Sequence, residues 1–207
     1  MNKSKLCKVA FFAAMLCVGQ SVSADDSGGP TAIINFQDLS TSFVPCPGCD
    51  PTGDFAGVGP TYSSHGYTFF YTPAPGEPFP VGFHVAGPFW PFNDGTKALT
   101  INSDNGLATL KRDDGRSFAL AAIDLAELNG PSDLPTIVVF KGATASGALV
   151  STQFTLDNVT GFQRFHFPDG FKDLMYVQWQ QGDNVTINVH MFDNVVLVAT
   201  KFRPRED

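Results

Sequence analysis

Two polar clusters set into apolar strands are the first places where this chain could do chemistry. In the stretch Val185–Ala199, VTINVHMFDNVVLVA, residues Ile187, Val189 and Met191 alternate with Asn188 and His190. Phe192-Asp193-Asn194 then breaks the alternation before the apolar run Val195–Val198. A carboxylate in such a strand is costly unless a donor or a cation meets it, or the backbone bends it towards water. A bulge whose carboxylate bonds nearby backbone N–H groups is one way to meet that need. Asn35-Phe36-Gln37-Asp38-Leu39 forms a similar cluster near the other end. The first and last strands of a β-sandwich often lie side by side, which would let the two clusters meet.

Aromatic side chains form a second set. Tyr62, Tyr67, Phe89, Trp90 and Phe92 fall in or beside segments read as loops. Exposed rings stack on sugar faces while flanking polar groups bond the hydroxyls, and the prolines of Pro88-Phe89-Trp90-Pro91-Phe92 would hold the rings outward. The competing reading is core filling, because a chain with 20 Phe needs most of them inside. Trp179, on one face of an alternating strand with Met175 and Val177, is expected in the core.

The four histidines are His65, His84, His166 and His190. No nucleophile elbow, HExxH or phosphate-binding loop accompanies them. His84, near Trp90 and with Tyr62 or Tyr67, is the one set that a lyase could use for acid and base. Ordinary strand histidines are the plainer reading, and no catalytic residue is assigned. Cys46 and Cys49 flank a Pro-Gly turn, and in an oxidising compartment they are expected to form one small-loop disulfide. Asp50-Pro51-Thr52-Gly53 forbids the helix that a redox pair would need.

Residues 1–24 read as a signal peptide. Lys3, Lys5 and Lys8 precede the apolar run Val9–Val18, and Val22-Ser23-Ala24 offers small residues for cleavage before Asp25. Cleavage would remove three of 13 cations and none of 20 acids, moving the net charge from −7 to −10. That balance argues against nucleic-acid or anionic-membrane partners. Secretion, no membrane span after cleavage, and a single domain over residues 25–207 are the expectations. The periplasm is the other compartment consistent with the signal.

Short alternating segments separated by turns such as Ser103-Asp104-Asn105-Gly106 and Asp113-Asp114-Gly115 predict about ten strands and little helix. Ser40–Ser64 reads as one long loop, and a turn near Leu125–Asn129 is the only helical candidate. The fold class is an all-β sandwich of jelly-roll type.

The order of several segments is informative. An opening Ile34-Asn35-Phe36 strand ending in Asp38 and Leu39 is followed by Gly66-Tyr67-Thr68-Phe69. ALTIN at Ala98–Asn102 and SFALAAIDLA at Ser117–Ala126 come next, and FDNVVL closes the run. This order resembles secreted bacterial β-sandwich proteins of the PEP-CTERM-associated type, which are similar to galactose-binding-like carbohydrate-binding modules. The family's sorting tail is not expected, because the sequence closes on Lys201-Phe202-Arg203-Pro204-Arg205-Glu206-Asp207, and Gln37 stands where the family often has a second acid. The resemblance implies an extracellular glycan as partner, with Tyr62, Tyr67, Phe89 and Trp90 as candidate contacts. It also implies a structural calcium held by Asp38 and Asp193, with Asn194 or backbone carbonyls as helpers. A secreted glycan-binding module is therefore the expected function. A polysaccharide lyase or hydrolase, and a matrix or adhesion component, are the alternatives.

Overall fold

The computed structural model describes residues 28–41, 54–76, 82–90, 93–101, 105–128, 135–180 and 189–200. The chain forms β1 (Gly28–Ile34), β2 (Phe55–Gly59), β3 (Thr61–Ser64), β4 (Tyr67–Thr72) and β5 (Phe83–Ala86). It continues through β6 (Ala98–Ile101), β7 (Leu107–Arg112), β8 (Phe118–Glu127) and β9 (Ile137–Thr144). β10 (Leu149–Thr155), β11 (Gln163–His166), β12 (Leu174–Gln180) and β13 (His190–Thr200) complete it. One 3₁₀ turn, Asp169–Phe171, is the only helical element among the described residues. The all-β expectation stands.

All strand pairs are antiparallel, and they make two sheets. The first runs β2-β5-β6-β13-β8-β11, with β1 beside the second half of β13. The second runs β3-β4-β7-β12-β9-β10. A single pairing, Leu174 with Phe118, links β12 to β8 and joins the sheets. The opening and closing strands do lie side by side, with Ile34 opposite Val195 and Ala32 opposite Leu197.

Alternation explains which faces meet. On β4, Tyr67, Phe69 and Tyr71 are buried while Phe70 and Thr72 are exposed. Inward rings then lock the two sheets edge to face: Trp179 of β12 meets Phe192 of β13 at 5.1 Å and 86°, and Tyr67 meets Phe118 at 5.5 Å and 81°. Each such pair adds about 0.5–1.5 kcal/mol beyond its buried area. The β7–β8 turn forms as its sequence implies, with Gly115 at φ +70° and its N–H bonded to the Arg112 carbonyl.

Several expectations need correction. The segment read as one loop from Ser40 to Ser64 contains β2 and β3, because Tyr62 alternates inward between exposed Thr61 and Ser63. The helical turn considered near Leu125 is the end of β8. Val177 and Trp179 are core, but Met175 is 38% exposed, since the register with β9 shifts between Leu174 and Tyr176. His190 is buried rather than outward, and its carbonyl accepts from the Thr100 hydroxyl at 2.8 Å.

Candidate functional site

At the middle of β13 the strand changes partner. Met191 and Phe192 pair with Thr100 and Leu99 of β6, and from Val195 onward the partner is β1. The register with β8 slips between Asp193 and Val196, and Asn194 takes φ +45°. This is the hydrogen-bonded bulge: the Asn194 N–H donates to Asp193 Oδ1 at 2.7 Å. Asp193 is 1% exposed. Burial first, with Asp124 and Asp94 adding repulsion, pushes its carboxyl up to about 7 against the bonds from Asn194 and Thr96. Asp124 is satisfied by Arg164, whose Nε and Nη2 donate at 2.7 and 3.0 Å, and by the Asn194 amide at 2.9 Å.

The Asp38 half of the expected calcium site has other partners. Its carboxylate accepts from the Tyr62 hydroxyl at 2.7 Å. The adjoining carbonyls of Gln37 and Leu39 accept from the Lys97 ammonium at 2.9 and 2.6 Å. The acids acting on Asp193 are Asp124 and Asp94, not Asp38. Among the described residues no three His, Cys, Asp or Glu side chains gather as metal ligands. Asp38 and Asp193 thus each have partners of their own within the protein, Tyr62 for the first and the Asn194 N–H for the second.

The aromatic set is dispersed. Tyr62 and Tyr67 are core residues, 7% and 3% exposed, so neither offers a stacking face. Trp90 is turned inward: its indole N–H donates to the Leu128 carbonyl at 2.7 Å, and Phe55 lies 5.0 Å from its ring. Phe89 alone among the four is well exposed, at 76%. His84 stacks on Phe55 at 4.8 Å, and burial holds its imidazole below the usual range. Burial, then the bond to Asp38, pushes the Tyr62 hydroxyl up to about 12, so it is no base near neutral pH. His84 and the two tyrosines do not form an acid/base set. Cys46, Cys49, Phe92 and residues 1–24 lie outside the described residues.

A cleft of about 370 Å³ opens at one end of the sandwich, lined by Thr31, Tyr67, His65, Arg112, Asp113 and Asp114 among others. Its charged groups are already paired with one another or with the frame. Arg112 meets Asp114 at 2.9 Å, and the Thr68 hydroxyl donates to Asp113 at 2.6 Å.

The outer face of the second sheet is different. Register places Thr61, Phe70, Thr109, Gln178, Lys141 and Ser151 in one row across six strands. Neighbouring rows hold Ser63, Thr68 and Lys111 on one side and Thr72, Leu107 and Gln180 on the other. At about 4.8 Å per strand spacing this row spans about 24 Å. Phe70 is 40% exposed, and the Lys111 ammonium stands 5.9 Å from its ring centre. Gln178 donates to the Thr109 hydroxyl at 2.9 Å, and Gln180 donates to the Asn105 amide oxygen at 2.8 Å. An amide has a second N–H and an acceptor oxygen, so each keeps bonding capacity. A groove of about 90 Å³ runs between Leu107, Val139, Lys141, Gln178 and Gln180. Sequence reading missed this face because none of its residues is unusual in its own strand; only the register lines them up.

No protein-family model matches the chain, and no curated protein matches it in sequence. Solved structures do. A mutant of a family 29 carbohydrate-binding module, made to probe ligand recognition, is 13% identical with a TM-score of 0.38, over 75% of this chain and 99% of that one. A family 29 module from Piromyces equi is 14% identical with a TM-score of 0.36, over 72% and 92%. The C-terminal domain of a chitobiase from Bacteroides fragilis is 16% identical with a TM-score of 0.36, over 68% and 99%. Likeness at this level carries no argument about ligand, which must come from the chain's own residues.

Proposed function

We propose that the chain is a secreted, non-catalytic glycan-binding module whose binding surface is the open face of the second sheet. The observation that carries this is the row Phe70–Thr109–Gln178–Lys141, with the groove beside it. A sugar ring presents an apolar C–H face and a rim of hydroxyls. Phe70 supplies an apolar ring face for the first. The amides of Gln178 and Gln180, with the hydroxyl of Ser151, supply donors and acceptors for the second, while the buried Thr109 hydroxyl orients the Gln178 amide. Held on adjacent strands, these groups are ordered before the ligand arrives, which lowers the entropic cost of binding.

The enzyme reading lacks support by comparison, because Tyr62 and Tyr67 are buried in the main core while His84 is stacked on Phe55 beside the smaller one. A structural calcium belongs to the proposal at the Asp193 end alone, where the oxygens of Asp193, Asp94 and Thr96 are the hard donors that such an ion takes. There it would offset the repulsion between buried carboxylates. The binding proposal is tested by affinity electrophoresis through a panel of soluble polysaccharides. Retardation by at least one, lost in Gln178→Ala, supports it. Equal migration through every polymer overturns it.

A further inference from the structure

The charge on this face is unlike that of the chain as a whole. The protein carries 20 Asp and Glu against 13 Lys and Arg. Yet the six strands of the second sheet contain no acid at all. The acids of the described strands, Asp124, Glu127 and Asp193, all lie in the first sheet. Among the described strand residues of the open face the only charges are the cations Lys111 and Lys141; the Asp113 carboxylate, bonded by Thr68, stands at its edge on the Lys111 side. Neither has an ion-pair partner among the described residues.

Their positions are central rather than peripheral. Lys141 lines the groove and lies opposite Gln178 in the β9–β12 register. Lys111 stands beside Phe70. An anionic group over the middle of the face would therefore meet an ammonium and an amide N–H from neighbouring strands, about 4.8 Å apart. A net negative protein repels a polyanion at long range, so a sheet face whose strands hold no acid favours its close approach. Building a neutral-sugar platform needs no such exclusion of Asp and Glu, because carboxylates bond sugar hydroxyls well.

We propose that the face selects anionic polysaccharides, carboxylated or sulfated, over neutral ones. This rests on the glycan-binding reading above and narrows it. Lys141 and Lys111 pair with the sugar's anionic groups, while Gln178 and Phe70 hold its rings.

The test is affinity electrophoresis and calorimetry of the full chain against polygalacturonate, dextran sulfate and a neutral mannan, at low and at raised salt. The expected result is tighter binding to the two polyanions, weakening as salt rises. The carboxylated and sulfated arms distinguish the two sources of charge, and binding to either supports the proposal. Lys141→Gln and Lys111→Gln should each weaken polyanion binding about two- to fivefold, as solvated ion pairs do. Lys172→Gln, which makes the same change of charge on an exposed turn, should not. Equal affinity for mannan and polyanions, with Gln178→Ala abolishing both, would overturn the anionic preference and keep the glycan site. No binding to any polymer would remove the glycan reading itself, and this inference with it.

Discussion

Asp193 of β13 lies opposite Asp124 of β8, and Arg164 forms its two-armed bond with Asp124 alone. Two carboxyl groups thus share one side of a sheet with one directly bound cation. Asp124 stays paired, whereas Asp193 is met by the Asn194 N–H of its own bulge. The imbalance makes Asp193 hard to ionise.

Stability should consequently depend on pH in metal-free buffer with EDTA. The folded carboxyl titrates at about 7, above its ordinary 3.8. Between those values the folded state holds the proton more tightly than the unfolded state does. Stability then falls as pH rises from about 4 through 7, by up to about 4 kcal/mol, and levels off above. Asp193→Asn should remove most of that slope and raise the urea midpoint at pH 8, with little gain at pH 4. Identical slopes in wild type and variant would show that Asp193 ionises freely in the fold.

Arg164→Ala should be costly for a related reason, leaving Asp124 and Asp193 with no directly bound cation. Because Arg164 is half exposed, water replaces part of what is lost, and a cost of about 1–2 kcal/mol is expected. The loss should be larger at pH 8 than at pH 5, since Asp193 holds its proton at pH 5 and the repulsion is then relieved. Urea titrations at both pH values check this.

Calcium at the Asp193 end would compete with the proton. Added calcium should raise the unfolding midpoint at pH 8 more than at pH 5, by about 2.7 kcal/mol at a hundredfold excess over the dissociation constant. Asp94→Ala should diminish the response, and Asp38→Asn should leave it. Equal midpoints in calcium and EDTA at pH 8 would remove the ion from the account.

Trp90 is a structural residue in this fold. Trp90→Phe keeps the contact with Phe55 but leaves the Leu128 carbonyl without its indole donor. A loss of about 1–3 kcal/mol is expected by thermal or chemical unfolding. Polysaccharide binding should persist. Loss of binding with stability intact would return the ligand to the Phe89–Trp90 loop.

What was legible in the sequence follows from how each signal is encoded. Period-two alternation in β4, β8 and β12 is local, so the strands, the sandwich class and the burial of Trp179 were readable. The broken alternation at Asp193 is local too, and it did mark a bulge. Tyr62 was misplaced because Gly57, Gly59 and Pro60 look like loop, although β2 and β3 run through and around them. Trp90 was misplaced because prolines suggest outward rings, whereas a carbonyl 38 residues away turns this indole inward. The row from Phe70 to Lys141 joins residues up to 108 positions apart, and its members become neighbours only through strand register.

Backbone amide shifts followed by NMR during titration with polygalacturonate oligomers test the central claim most directly. The proposed site predicts that shifts cluster at Phe70, Thr109, Lys111, Lys141, Gln178 and Gln180, with the Phe89 loop and the β13 bulge unchanged. Shifts centred on Phe89, or on the end cleft at His65 and Asp113, would contradict it.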